Sequence, residues 1–355
     1  MTIQQMLAYV LANNASDLHL LAGVPPTVRI DGNLVAIPGE PVLNPAAIEQ
    51  LIGGVIIASQ KEIFTVNKEV DFSFAMEAKA RFRANTYYQK SSPAASFRLI
   101  PLAIPTIDSL GLPKICHDFA KLRQGFVLVT GPTGHGKSTT LAAVLEEINQ
   151  TRPVHIITIE DPIEYVYSSV NKAIVSQREV HTDTHSWEIA LRSILREDPD
   201  VVLIGEMRDF ETIAAALTIA ETGHLVFATL HTNSAAQTID RIVDVFPETQ
   251  QAQVKLQLSG NLEAVFSQRL IPKVGGGRVM AYEIMLATPA VRTAIREGRT
   301  HQLDNIIMTS AEYGMTTLEN TLAGQVKAGL ISLETAQTFA VRPADISRYV
   351  SGTGK

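Results

Sequence analysis

Eight consecutive residues, from Gly131 to Ser138, combine glycines with a lysine and a hydroxyl group in the order Gly-Pro-Thr-Gly-His-Gly-Lys-Ser. This order fits the phosphate-binding pattern G-x-x-x-x-G-K-[ST] at every fixed position. Glycines let backbone N–H groups turn toward a phosphate, and the positive end of a following helix adds to the attraction. Lys137 would reach the β- and γ-phosphates, and the Ser138 hydroxyl would ligate Mg²⁺. We therefore predict a nucleotide site with Mg²⁺, formed by Gly131, Thr133, Gly134, His135, Gly136, Lys137, Ser138 and Thr139.

Acidic residues follow two short apolar segments, Ile156–Ile159 and Val201–Ile204. Ligands of open α/β sheets lie at the carboxyl ends of the strands, so these acids should meet the phosphate loop. One carboxylate could hold Mg²⁺ through water, and another could orient or deprotonate the attacking water. The alternative for each acid is a helix cap or a solvated turn, and the residues alone do not choose between the acids of the first group. The candidates are Glu160, Asp161 and Glu164 after the first segment, and Glu206 after the second, where Gly205 occupies the usual aspartate position.

Two histidines, His224 and His231, flank the apolar segment Leu225–Leu230. Their spacing matches no common metal pattern, and no cysteine lies near them. Each could be an ordinary histidine of the core. The position of His231 at the exit of a strand would also let it sense a γ-phosphate.

The elements that must position these residues alternate between strands and helices. Short apolar runs predict strands covered on both faces, as in parallel sheets. Helical spacing from Trp187 to Leu195, and a second helix from near Asp209 to Gly223, supply helices between them. The prediction is an α/β fold with helices on both faces of the sheet, followed by about 80 helical residues at the C-terminus. The strands are predicted at 126–130, 156–159, 201–204 and 225–229, and breaks between C-terminal helices at Gly298, Gly314 and Gly329.

The first hundred residues differ in pattern and predict a smaller α+β domain. A hairpin is expected where Val28–Ile30 and Leu34–Ile37 flank three turn-forming residues, Asp31, Gly32 and Asn33. Alternation in 70–74 and 81–87 predicts strands buried on one face, with Arg81 and Arg83 on the same face. Pro101 and Pro105 indicate a semi-rigid linker. We predict an N-terminal domain at 1–98, a linker at 99–108 and a second domain at 109–355.

Composition restricts the class of protein. The chain has 355 residues, of which 46 % are hydrophobic and 19 % charged, a balance typical of a soluble protein with a substantial core. No apolar run approaches about 20 residues, and the N-terminus lacks the layout of a secretory signal, so we expect a cytoplasmic protein. The single cysteine, Cys116, excludes an internal disulfide and a four-cysteine zinc site. A net charge of −6 disfavours a nucleic-acid partner, because nucleic-acid binding depends on a basic surface.

Together these motifs resemble the secretion-ATPase superfamily, and within it the ATPases that retract type IV pili and drive twitching motility. The resemblance spans nearly the whole chain. It is carried by TGPTGHGKSTT (130–140), TIEDPIEY (158–165), REDPDVVLIGEMRD (196–209) and ETGHLVFATLHT (221–232), with shorter matches ASDLHL (15–20), RFRAN (81–85), AVRTAIREG (290–298) and GMTTL (314–318).

The resemblance implies a PAS-like N-terminal domain, a RecA-like P-loop ATPase core, and a ring of six subunits. It implies ATP and Mg²⁺ as ligands, and a place on the cytoplasmic face of the inner membrane beside the pilus platform protein, with an accessory paralogous ATPase as a further partner. Glu164 then belongs to the Asp box as the favoured general base, with Glu160 and Asp161 as neighbours. Glu206 is the Walker B glutamate near Mg²⁺, and His224 and His231 are the His-box pair. Arg81, Arg83 and Arg98 match arginines that reach a nucleotide across a domain or subunit interface.

Two positions depart from the family pattern. His135 stands where serine is commoner, at a loop position expected to contribute mainly its backbone. Ala294 replaces a leucine of the retraction-associated motif, whose arginines, Arg292 and Arg296, are kept on one helical face.

Three rival functions remain. An extension or secretion ATPase of the same superfamily usually carries an extra N-terminal domain and often a four-cysteine zinc insert. The single cysteine of this chain disfavours a relative with that insert. A RecA-like DNA translocase should have a basic groove, which the acidic net charge disfavours. A non-catalytic assisting subunit is disfavoured because Lys137, Glu164 and Glu206 are all present.

Overall fold

The computed structural model describes residues 1–30, 32–76, 80–100, 103–168 and 170–351. Two compact units make up the chain. The first comprises Met1–Ala103 with the short segment Pro162–Val166, and the second comprises Ile104–Asp161 with Tyr167–Lys355. Within the described ranges, no helix is long and apolar enough to cross a membrane.

A six-stranded antiparallel sheet and three helices form the first unit. The order along the sheet is β3-β2-β1-β6-β5-β4. Side chains of the helices and of one sheet face form its core, with Phe82 and Phe97 fully buried. The elements are α1 (Ile3–Ala12), β1 (Asp17–Leu20), β2 (Thr27–Ile30), β3 (Asn33–Ala36), α2 (Pro45–Gly53), α3 (Ala58–Asn67), β4 (Glu69–Met76), β5 (Ala80–Gln89) and β6 (Ser92–Ile100).

The hairpin predicted in this unit is confirmed. Strands β2 and β3 pair antiparallel, with Ile30 opposite Asn33. Gly32 has a φ of +83°, which glycine adopts without strain, and Asp31 lies outside the described residues. The strands predicted from alternation are also confirmed, because Val70 and Phe72 of β4 are buried while their neighbours are not.

A seven-stranded sheet is the centre of the second unit, in the order β13-β12-β7-β11-β10-β8-β9. All neighbours pair parallel except β12 and β13. Separate apolar clusters lie on its two faces. The strands are β7 (Gly125–Thr130), β8 (His155–Glu160), β9 (Ile174–Glu179), β10 (Val201–Ile204), β11 (Leu225–Leu230), β12 (Leu262–Pro272) and β13 (Arg278–Leu286).

Helices cover both faces of this sheet and form the C-terminal part. The predicted starts are confirmed: Asp209 caps α7 by accepting the Thr212 N–H, and Ser186 caps α6 by accepting the Ile189 N–H. The helices are α4 (Ile115–Lys121), α5 (Lys137–Thr151), α6 (Trp187–Ile194), α7 (Phe210–Glu221), α8 (Ala235–Asp244), α9 (Glu248–Asn261), α10 (Pro289–Arg296), α11 (Leu303–Thr309), α12 (Leu318–Lys327), α13 (Leu333–Phe339) and α14 (Pro343–Ser351), with short 3₁₀ helices at Thr300–Gln302 and Ala311–Tyr313.

The four strands predicted for the parallel sheet are confirmed as β7, β8, β10 and β11. Nearly every residue in them is buried, as expected for strands covered on both faces. The prediction of a wholly helical C-terminal end was wrong at 278–286, which form β13. That strand is the return arm of a long hairpin with β12. Polar residues such as Gln268 in β12 and Glu283 in β13 interrupt the apolar runs, so these strands were not predicted.

The first two residues of the predicted linker, 99–108, belong to a strand. Leu99 and Ile100 are the last residues of β6, paired with β5. Pro101 and Leu102 lie outside the described residues. The domain bounds at 1–98 and 109–355 stay a prediction, and the grouping of Pro162–Val166 with the first unit differs from them.

Candidate nucleotide site

The carboxyl ends of four parallel strands meet at one edge of the seven-stranded sheet. The phosphate loop follows β7, and His231 follows β11 directly. Glu206 lies two residues beyond the end of β10, and Glu160 is the last residue of β8. The sheet therefore brings together residues that the sequence separates by up to a hundred positions.

The phosphate loop joins β7 to the 15-residue helix α5. Gly134 and Gly136 have φ values of +78° and +83°, so both occupy the left-handed region that favours glycine. A Cβ at Gly134 would meet nothing within 4 Å, which leaves the outer side of the loop open to a ligand. The helix begins at Lys137, with Ser138 and Thr139 in its first turn. Its N–H groups therefore present partial positive charge at the loop.

Strand β12 passes alongside the phosphate loop and holds it at two points. The Gln268 Nε2 donates a hydrogen bond of 2.7 Å to the carbonyl of His135. At Gly131, a Cβ would lie 2.2 Å from the Gln268 carbonyl oxygen, so only glycine allows this approach. The shape of the loop thus depends on a strand far away in the sequence.

The side chain of His135 takes part in the same contact. Its Nδ1 accepts a hydrogen bond of 3.0 Å from the Leu270 N–H of β12. Burial, with the charges of Arg269, Lys137 and Arg278, lowers the pKa of His135 below its ordinary value. The imidazole is therefore neutral at pH 7, as an acceptor must be. The side chain of His135 therefore supports the loop through β12, in addition to the backbone contribution expected at this position.

Lys137 lies folded over the loop. Its Nζ donates to the carbonyl of Gly131 at 2.9 Å and to that of Pro132 at 3.1 Å. The Nδ1 of His231 is 3.4 Å from the same Nζ and 3.2 Å from the Thr133 hydroxyl. His231 and Lys137 therefore approach the same space above the loop.

His231 also faces the acid that follows β10. Its Nε2 is 3.6 Å from Glu206 Oε1, and the Glu206 carboxylate pairs with Arg208. Burial, with the positive charges of Lys137 and Arg208, lowers the pKa of His231. A neutral imidazole that accepts at Nδ1 carries its proton on Nε2, toward the carboxylate.

Gly205 explains the missing aspartate before Glu206. A Cβ at this position would lie 3.2 Å from the Ile159 carbonyl oxygen and 3.3 Å from the Glu160 Cα of the neighbouring strand. The Gly205 carbonyl accepts a hydrogen bond of 2.6 Å from the Thr229 hydroxyl of β11. An aspartate Cβ here would require β8 to move by a few tenths of an ångström, so the close approach of β8 and β10 favours glycine.

The three acids near the end of β8 differ in environment. Glu160 is buried, and its Oε1 accepts hydrogen bonds from the Thr158 hydroxyl at 2.7 Å and the Gln177 amide at 3.2 Å. Asp161 is exposed at the end of the strand. Glu164 is exposed as well, and it belongs to the short segment that groups with the first unit.

Three predicted residues lie away from the phosphate loop. His224 precedes β11, and its carbonyl accepts the N–H of Gly125 at the start of β7. Arg292 donates to the last carbonyls of α9 and to Glu263 at 2.9 Å, and Arg296 is exposed on the same helix. His224 and Arg292 thus lie at the edge of the sheet opposite the loop, about 20 Å away for a strand of this length.

The predicted arginines of the first unit share one face of its sheet. Arg83 of β5 lies directly opposite Arg98 of β6, and Arg81 is two residues along β5. The Arg98 Nε donates to Asp17 at 2.8 Å, and Arg81 donates to the Ser73 hydroxyl. Burial raises the pKa of Asp17, but hydrogen bonds from Ser16 and Arg98 outweigh it and leave that pKa lowered.

The residues at the loop fit a nucleotide and Mg²⁺. The loop has the left-handed glycines, the open outer side and the helix start that phosphates require. Ser138 and Glu206 offer a hydroxyl and a carboxylate, the hard oxygen donors that Mg²⁺ prefers. These residues could therefore hold the ion.

Substitution of His135 tests whether its contact with β12 stabilises the protein in a pH-dependent way. A lowered pKa means that the stabilisation is complete above pH 6.5 and is lost as the pH falls through the lower pKa of the folded protein. We expect His135→Asn, which keeps an acceptor that does not titrate, to melt within about 1 °C of wild type at pH 8. At pH 5.5 it should melt about 2–4 °C higher than wild type, as a gain of about 1 kcal/mol gives. Thermal melting of the nucleotide-free protein measures this, and a constant difference across the pH range would contradict the contact.

Comparison with known proteins identifies the family. The family described as "Type II/IV secretion system protein" matches residues 1–276. The type IV pilus retraction ATPase PilT of Pseudomonas aeruginosa is 51 % identical over 97 % of this chain and 99 % of its own. The type IV pilus ATPase PilU of the same organism is 39 % identical, over 98 % of this chain and 90 % of its own.

A solved structure shows the same fold. The crystal structure of the pilus retraction motor PilT with bound ADP has a TM-score of 0.92 and 47 % identity, over 98 % of this chain and 99 % of that one. The predicted fold class, an α/β RecA-like core with a smaller N-terminal domain, is therefore confirmed, and so is the resemblance to the retraction ATPases. The chain belongs to the type II/IV secretion system protein family.

Proposed function

We propose that this chain is an ATP-hydrolysing motor that powers the retraction of type IV pili. The observation that carries the proposal is the meeting of Lys137, His231 and Glu206 above an intact phosphate loop. This arrangement occurs in a chain that is 51 % identical to a pilus retraction ATPase over nearly its whole length. The reaction is the hydrolysis of ATP to ADP and phosphate, coupled to mechanical work.

The loop residues hold the triphosphate in this proposal. Lys137, with its ammonium group held by two loop carbonyls, reaches the β- and γ-phosphates when those contacts are exchanged for phosphate oxygens. Ser138 and Glu206 hold Mg²⁺, which neutralises the charge that develops on the phosphates. In this proposal the neutral imidazole of His231, close to Lys137 and Glu206, detects whether the γ-phosphate is bound.

The general base in this proposal is Glu164. Glu160 is a poorer candidate, because it is buried and its carboxylate already accepts two hydrogen bonds. Those contacts leave its carboxylate less accessible to an attacking water than an exposed carboxylate. Glu164 is exposed, and the family resemblance assigns it this role.

Arginines of the first unit complete the motor in this proposal. Arg81, Arg83 and Arg98 share a sheet face and present guanidinium groups that suit phosphate. Their attraction to bound ATP changes the arrangement of domains, and hydrolysis releases it. Successive events around a homo-hexamer then turn or lower the membrane platform and release pilins.

The partners and location follow from the same proposal. The motor assembles as a homo-hexamer at the cytoplasmic face of the inner membrane and acts on the pilus platform protein. A paralogous ATPase is a further partner, in keeping with the 39 % identity to PilU. An extension or secretion ATPase is the alternative function, and a DNA translocase is disfavoured by the net charge of −6.

Removal of the loop lysine tests whether the chain hydrolyses ATP and, in cells, whether that hydrolysis powers pilus retraction. Lys137→Ala should abolish ATP turnover, because its ammonium group is the cation that the loop brings to the β- and γ-phosphates, and should leave thermal melting nearly unchanged. The matched control is Lys172→Ala, an exposed lysine of the same unit, which should turn over ATP like wild type. Phosphate release by the purified variants is the measurement.

The same variants can be scored in cells. A strain lacking this chain should carry excess pili that do not retract and should lose surface motility. Wild-type and Lys172→Ala chains should restore motility, whereas Lys137→Ala should not. Bald cells in the deletion strain would indicate extension, and full turnover by Lys137→Ala would sink the ATPase assignment.

Arg83 offers the cleanest test of the first unit, since its side chain is exposed. Arg83→Ala should lower kcat by at least about tenfold, in line with the effect of an arginine that contacts a transferring phosphoryl group. Lys61→Ala, an exposed cation on α3, is the matched control and should keep wild-type turnover. Steady-state kinetics measures kcat of both variants. Equal rates would show that Arg83 is a solvated residue of the sheet face with no part in turnover.

A further inference from the structure

Glu283 is a buried carboxyl that the proposed reaction does not use. It lies in the middle of β13 with only 5 % of its surface exposed. Its Oε1 accepts a hydrogen bond of 2.7 Å from the backbone N–H of Ala235. A carboxylate is costly to bury unless such bonds stabilise it, so this contact gives the acid a definite role in the structure.

Ala235 is the first residue of α8, four positions after His231. The first turn of α8 is tightly connected to the segment before it. The Ser234 hydroxyl accepts the Gln237 N–H, and the Thr238 hydroxyl donates to the Ser234 carbonyl at 2.7 Å. The Thr232 and Thr238 hydroxyls are 2.6 Å apart. These hydrogen bonds connect the first turn of α8, which begins at Ala235, to Thr232, the residue next to His231.

Charged groups surround Glu283 from three elements, α11, α12 and β12, and from Arg342 just before α14. Burial raises its pKa to about 7; the Ala235 N–H lowers it, Asp304 and Glu319 raise it, and Arg342 lowers it. Arg269 of β12 also lies within electrostatic reach. The guanidinium of Arg342 is shared, since it donates to Asp304 at 2.7 Å and to Glu319 at 3.0 Å. Glu283 therefore gains or loses its charge near neutral pH, with Ala235 as its hydrogen-bond donor.

We infer that Glu283 is a positioning residue for His231 and acts through the first turn of α8. The ionised carboxylate holds the Ala235 N–H, which fixes the segment from His231 to Ser234 beside Lys137 and Glu206. The inference rests on the proposed function, because His231 matters only if nucleotide is turned over. Glu283 itself touches neither the nucleotide nor the reacting atoms.

Two substitutions test separately the charge of Glu283 and its ability to accept a hydrogen bond. Glu283→Gln keeps an oxygen that can accept the Ala235 N–H but removes the charge, whereas Glu283→Leu removes the acceptor. At pH 8 we expect kcat to fall about threefold in Glu283→Gln and about tenfold in Glu283→Leu, with the KM for ATP changed by less than about twofold. The matched control is Glu312→Gln, an exposed acid of the same unit, which should behave like wild type.

Two further measurements distinguish a positioning role of Glu283 from a purely structural one. Wild-type kcat should rise between pH 6 and pH 8 with an inflection near 7, and Glu283→Gln should lack that inflection. In the nucleotide-free protein, amide hydrogen exchange in the peptide 231–238 should be about tenfold faster in Glu283→Leu than in Glu312→Gln.

The outcomes are distinct. Wild-type kcat in Glu283→Gln, or an inflection near pH 7 that survives in this variant, overturns the positioning role. Unchanged exchange of the peptide 231–238 in Glu283→Leu overturns it as well. Absence of ATP turnover in the wild-type protein overturns the proposed function and this inference with it.

Discussion

The phosphate loop keeps its shape because the end of β12 runs past it. Gly131 approaches the backbone of Gln268, the Gln268 side chain holds the carbonyl of His135, and the Leu270 N–H holds the imidazole of the same residue. Strand β12 continues beyond its pairing with β7, which ends where Ser267 lies opposite Thr130. The extension that grips the loop is therefore free of strand pairing on that side, and its polar groups are available for the loop. Two loop positions lie against this support: Gly136, where a Cβ would be 3.3 Å from the Gln268 side chain, and Gly131, whose carbonyl accepts a hydrogen bond from Lys137.

Other contacts at the same edge serve the same site. The close approach of β8 and β10 at Gly205 sets where Glu206 emerges, and the exit of β11 sets where His231 emerges. Strand β13 pairs with β12 along its length and carries Glu283, which holds the start of α8. One hairpin, β12 with β13, thus supports the phosphate loop on one arm and the His231 segment on the other. A motor needs such a connection, because the presence of the γ-phosphate must alter the position of elements outside the site.

Much of this could be predicted from the sequence, and the reasons for the failures are physical. Strands β7, β8, β10 and β11 are predictable because burial on both faces leaves continuous apolar runs. Strands β12 and β13 are not, since polar residues such as Gln268 and Glu283 interrupt them at positions where they meet distant partners. The glycine run 275–277 between these strands was the available signal of a hairpin. The role of the His135 side chain could not be predicted, because its partner lies 135 residues away. Nor could sequence alone separate Glu160, bound to Thr158 and Gln177, from its exposed neighbours.

The most direct test of this dependence on β12 is the affinity for ADP of Gln268→Leu. Leucine has a similar volume but leaves the partly buried carbonyl of His135 without its donor, at a cost of about 1–2 kcal/mol. Gln251→Leu is the matched control, because Gln251 of α9 also donates to a backbone carbonyl, that of Phe246, which within the described part of the chain has no hydrogen bond to β12 or the loop. Titration calorimetry should show about tenfold weaker ADP binding in Gln268→Leu and unchanged binding in Gln251→Leu. Wild-type affinity in Gln268→Leu, or an equal loss in both variants, would contradict the account.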